Sequence, residues 1–193
     1  MGLEIGFNLH KKVNDKLVNH KLQDDDSTWI CGRCDVTYAW ELGCSYDYQT
    51  NTSTEAVFNK EFDNYEEKHN DYTVVYRYLP FEDFKTHVMG AVNDTFNNTA
   101  LSKQNSYKRI KKLEKEIATY QNLQLKSETD FVFDKFQEKI DEDKREIEEN
   151  EEFINTLETD DYDYCHAVKV KQMVEDIEKY LKEGYIVTTF FSF

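Results

Sequence analysis

The chain has 193 residues, 39% of them apolar and 33% charged, enough for one core of ordinary size and too short for a multidomain enzyme. Acidic side chains number 39 against 24 basic ones, and the net charge of -15 excludes a duplex-binding surface spread over the whole protein and favours a basic partner. Aromatic residues at 15% place the acidity on a folded object, and the absence of a long apolar run or a leader pattern reads as a cytoplasmic protein with no membrane contact.

Residues 3–9 alternate, with Leu3, Ile5, Phe7 and Leu9 on one side, and predict an opening strand. After the apolar pair Trp29-Ile30 and the Cys31-Gly-Arg-Cys34 turn, Asp35 is placed to cap a short helix carrying Val36, Ala39, Trp40 and Leu42 and ending at Gly43. Thr52 and Glu55 have capping-box spacing, which predicts a helix burying Phe58, Phe62 and Tyr65. Residues 72–79 are β-branched and aromatic and read as a strand stopped by Pro80. Phe81, Phe84, Val88, Val92 and Phe96 then recur at helical spacing across Gly90.

Residues 101–160 hold no Gly and no Pro and show two heptad seams: Ile110, Leu113, Ile117 and Tyr120, then Phe133, Phe136, Ile140, Ile147, Ile154 and Leu157. A short break at Ser127–Asp130 predicts two helices folded back antiparallel, with Asp143 and Asn150 as polar residues in the second seam. A last helix from about His166 to Glu183 stops at Gly184, and residues 185–193 read as a terminal strand apolar on both faces. The expected fold is α+β: a small antiparallel sheet with packed helices from residues 1–100 and 165–193, and a long antiparallel helical hairpin inserted at 101–160.

Among possible sites, Cys31 and Cys34 have the spacing of half a tetrahedral zinc site, completed by Cys44, Cys165, His166, His10 or His20. Packing of the thiols as small apolar groups is the competing account, so zinc is an option and no cofactor is required. Adjacent Cys165 and His166 diverge on a helix and lack an orienting acid, Asp24–Asp26 lacks the pattern of a calcium loop, and no nucleophile elbow or phosphate loop occurs. These readings give no support for an enzyme.

Charge is the more informative feature. Lys103, Lys108, Arg109, Lys111, Lys112 and Lys115 make the start of the first hairpin helix basic, the one stretch suited to direct nucleic-acid contact, while residues 151–193 carry 10 acids and 4 bases. An antiparallel hairpin would neutralise much of the basic run and leave Glu148, Glu149, Glu151, Glu152, Glu158, Asp160 and Asp161 as a row of carboxylates resembling a phosphate backbone. A self-paired, solvated hairpin is the plainer account of the same residues.

Lys outnumbers Arg by 20 to 4 and Asn is abundant, a bias of AT-rich coding such as that of a low-GC bacterium or its phage. The opening Met-Gly-Leu-Glu-Ile-Gly-Phe-Asn-Leu and the segment from Trp29 to Trp40 resemble uncharacterised phage reading frames, over about a fifth of the chain. The resemblance implies a small phage-encoded inhibitor of bacterial immunity, anti-CRISPR-like, which binds the basic channel of a nucleic-acid-binding effector in the bacterial host. It carries no site residues. A zinc-stabilised binding module and a coiled-coil oligomerisation or scaffold protein are the other two classes the sequence admits.

Overall fold

The computed structural model describes residues 4–20, 29–31, 45–127 and 129–192; Cys34, the helix expected from Asp35 to Gly43 and Asp24–Asp26 lie outside them. The fold is α+β. The strands are β1 (Glu4–Val13), β2 (Lys16–Asn19), β3 (Trp29–Cys31), β4 (Ser45–Asp47), β5 (Thr52–Val57), β6 (Glu66–Lys68), β7 (Thr73–Tyr78) and β8 (Ile186–Ser192). Three long helices accompany them: α1 (Phe81–Gln124), α2 (Asp130–Thr156) and α3 (Tyr162–Lys182). By contacts the chain divides into two compact units, Met1–Val92 with His166–Phe193, and Asn93–Cys165.

The first unit holds one eight-stranded sheet, with the path β2-β1-β8-β5-β7-β6, β3 added to β1 and β4 added to β5. It is larger than the small sheet expected and it is mixed, because β5 and β7 run parallel with Thr52 beside Thr73 and Val57 beside Tyr78. A parallel neighbour needs a crossover, and the chain from Phe58 to Tyr72 supplies it with a 3₁₀ turn at Lys60–Phe62 and the short strand β6. The opening strand runs past residue 9 to a two-residue turn, where Asn14 and Asp15 both take positive φ (50° and 61°), the geometry that closes a tight hairpin onto β2.

The helix expected after Thr52 is instead strand β5. A Thr-x-x-Glu spacing fits a capping box, but Thr52, Thr54 and Val57 are β-branched, and partners on both edges, β7 on one and β4 and β8 on the other, decide the conformation. Phe62 and Tyr65 still meet, in and after the 3₁₀ turn, with ring centroids 5.6 Å apart. They cover one face of the sheet, where Leu17, Val57, Val74, Tyr76 and Ile186 form a buried cluster.

On the other face Phe7, Leu9, Ala56 and Val187 are buried, and so are Phe84 and Val88 of α1 and Val170, Met173, Val174 and Ile177 of α3. Phe58 meets Phe84 at 5.0 Å and Phe7 meets Tyr180 at 6.1 Å, which seats both helices there. α3 ends as its sequence dictates. Gly184 has φ +85° and donates to the Leu181 carbonyl, and Tyr185 donates to the Tyr180 carbonyl, closing the helix and turning the chain into β8.

In the second unit the expected division between a helix at 81–96 and a separate hairpin helix is absent, since α1 is one helix of 44 residues. Asn93 to Thr99 are poor helix formers, yet Phe96 is half-buried and Thr99 buried at the helical spacing, and that packing carries the helix through. Contacts tie α1 to α2 at three levels: Lys103 to Glu158 just beyond α2 at 2.7 Å, Arg109 forked onto Glu146, and Tyr120 stacked on Phe136 at 6.1 Å. Leu113, Ile140 and Ile154 are buried, while Ile110, Ile117 and Ile147 are only partly so and Phe133 is exposed. The seams are therefore too unevenly packed to make a clear coiled coil.

Candidate functional site

The carboxylates singled out from the sequence do not form one helical row. α2 ends at Thr156, so Glu148, Glu149, Glu151 and Glu152 stand on the helix, whereas Glu158 and Asp160 lie in the following turn and Asp161 precedes α3. Two of the outlying acids have structural duties: Glu158 binds the Lys103 ammonium, and the Asp161 side chain accepts from the Tyr164 amide at 2.7 Å, capping α3.

The four helical carboxylates are different. At about 100° per residue Glu148, Glu149 and Glu152 turn away from Ile140, Asp143 and Ile154 while Glu151 flanks that side, and all four are exposed with no ion pair among the described residues. In the earlier turns of α2 acids alternate with bases and two of them are offset within the helix, Glu138 by Lys135 and Glu142 by Lys139 at i,i+3. Unbalanced negative charge on α2 is thus concentrated at 148–152.

The basic run on α1 is half consumed. Lys103, Arg109 and Lys112 pair with Glu158, Glu146 and Glu116, while Lys108, Lys111 and Lys115 are exposed without an ion pair among the described residues. Near the Lys103–Glu158 pair, Phe96, Thr99, Tyr107 and Tyr164 line an open groove of about 390 Å³.

Cys31 belongs to β3, beside Glu4 of β1, and Cys34 lies outside the described residues, so the two are not seen as a pair. Among the described residues no group of three or more His, Cys, Asp or Glu side chains is placed to hold a metal ion. Cys165 lies against the Glu158 and Thr159 carbonyls in the turn before α3.

A second polar cluster is one that no spacing in the sequence marks. Strand register puts His10 of β1, Thr188 of β8, Glu55 of β5, Tyr76 of β7 and Glu67 of β6 on one face of the sheet. His10 is 3% exposed; its Nε2 is 3.0 Å from the Thr188 hydroxyl and its Nδ1 has no partner. The Tyr76 hydroxyl donates to Glu67 at 3.1 Å. Burial, and then the Glu67 charge, hold the Glu55 carboxyl up at about 7; burial pushes the His10 imidazole down, and burial with the Glu55 and Glu67 charges pushes the Tyr76 phenol far up. The His10 ring meets the Tyr76 ring at 6.1 Å, and through Tyr76 and Glu67 the cluster joins an imidazole whose charged form burial disfavours to a carboxyl held up at about 7.

Comparison with protein-family models, curated proteins and solved structures finds no match for the chain. None of the helices among the described residues is long and apolar enough to cross a membrane.

Proposed function

We propose that this protein acts by binding, presenting the carboxylates of α2 to the basic nucleic-acid channel of a partner and competing with the nucleic acid for it. In this reading α1 beyond Val92 and α2 are an antiparallel hairpin that carries the charge, and the protein is a phage-type, anti-CRISPR-like inhibitor of a bacterial effector. The observation that carries the reading is the exposure of Glu148, Glu149, Glu151 and Glu152 with no cation paired to them among the described residues, four acids within five residues of a helix on which Glu138, Glu142 and Glu146 each hold one. Surface ion pairs form readily on helices, so a helix segment left unbalanced supplies a long-range field that steers a basic surface toward it.

The test begins with a pull-down from bacterial lysate, analysed for protein and RNA, and continues with association rates against the partner it returns. Reversing Glu148, Glu152 and Asp160 to Lys together should slow association about tenfold or more and leave dissociation nearly unchanged, with a steep salt dependence in the wild type. All three are exposed, so each change should move folding stability by no more than about 0.5 kcal/mol. Unchanged association and a flat salt dependence overturn the proposal.

A scaffold role is favoured by a different observation: Leu125 and Phe131 are 86% and 71% exposed, beside exposed Leu123, Val132 and Phe133, where α1 gives way to α2. Light scattering separates the two, since a scaffold built on that patch is oligomeric by itself.

A further inference from the structure

Asp143 stands where the repeat on α2 asks for an apolar side chain, between Ile140 and Ile147, and it is only 8% exposed. The Arg109–Glu146 fork on one side and the Tyr120–Phe136 stack on the other set its level, which brings it to the stretch of α1 that holds Glu116, half-buried, and Leu113, wholly buried. Its Oδ2 has no hydrogen-bond partner. The charges that act on it leave no cation to spare: Glu116 from α1 and Glu142 and Glu146 from α2 are acids, Lys139 is bound to Glu142, and Arg109 is bound to Glu146. An ionised carboxylate in this setting loses water and gains like-charged neighbours, whereas the neutral acid merely forgoes a hydrogen bond.

We propose that Asp143 is a proton-operated latch on the contact between α1 and α2: neutral, it is accommodated in the seam; ionised, it reaches water by loosening α2 around Ile140–Ile147. Burial first, then the charges of Glu116 and Glu142, hold its carboxyl above the ordinary carboxylate range. A carboxyl raised in the folded state stabilises the contact fully below its unfolded pKa, and that stability is lost as pH rises through the folded one. Glu142 and Glu146 have the opposite sign, being held down first by hydrogen bonds from Lys139 and Arg109, so their contribution is full above the ordinary Glu value and falls only on the acid side of it, against the trend set by Asp143.

The experiment is amide hydrogen exchange on the full chain, wild type, D143N and D143L, at about pH 4.5 and about pH 7.5, with each rate divided by its intrinsic value. In the wild type the open population of α2 between Ile140 and Asn150 should be larger at the higher pH, about tenfold for each unit by which the carboxyl is held up. D143N, which cannot ionise, should abolish the difference, and D143L, which completes the apolar repeat, should do the same and slow exchange at the higher pH. Equal protection of wild-type α2 at the two pH values, or a D143N protein that keeps the wild-type dependence, overturns the proposal.

Discussion

Single residues in this protein set opposite pH limits. Glu55 is held up at about 7 by burial and by Glu67, so its share of stability is complete below the ordinary Glu value and is lost as pH rises toward 7. His10 is depressed by burial, so its share is present above the ordinary imidazole value and is lost as pH falls below it. E55Q removes the alkaline limb alone. Denaturant titration should find E55Q more stable than wild type by roughly 2 kcal/mol at pH 8 and nearly equal to it at pH 5. Gly184 is a backbone requirement of another kind: at φ +85° a Cβ meets nothing within 4 Å, so G184A should cost only the strain of the left-handed conformation, about 1–2 kcal/mol.

At the scale of elements, β8 is the strand on which the sheet depends. It lies between β1 and β5, with Val187, Thr188 and Thr189 wholly buried. Removing 186–192 leaves those two neighbours as open edges, and the shortened protein should aggregate, which sedimentation of the soluble fraction reports. Phe84 anchors α1 on the same sheet; F84A should cost about 3–5 kcal/mol in a denaturant titration. The first strand is legible in the sequence because a period of two over seven residues has few rivals, and the last because a run of β-branched and aromatic residues follows the helix stop at Gly184. β4 and β6 are not, being three residues long and mostly polar, with a pairing fixed by segments far away. The Asn14-Asp15 turn was within reach of sequence reasoning, since two residues tolerant of positive φ stand between apolar-containing runs. The density of carboxylates near residue 150 is equally plain, but which of them lack a cation depends on partners such as Lys103 that only folding brings close. Glu55, Tyr76 and His10 each look ordinary on their own strands; the parallel register of β5 with β7 brings Glu55 to Tyr76, and the fold brings the His10 ring to Tyr76 from β1.

For the molecule as a whole, a net charge of -15 is a burden on compactness, and added salt should raise the melting temperature over the low ionic strengths where a surface field extends about 10–30 Å. The pairing of β1 with β8 has a kinetic consequence as well. The hydrogen bond between His10 and Thr188 closes a loop of 178 residues, while Asn93–Cys165 is one continuous stretch whose helices need only local contacts. Helices should therefore form early and the sheet late, on the slower timescale of non-local pairing. During synthesis at about 5–20 residues per second, β1 waits roughly 10–40 s for the strand that will cover it. For most of that interval the growing chain carries two unpaired strand edges, those of β1 and β5, and its solubility rests on the same surplus of negative charge that opposes the finished fold.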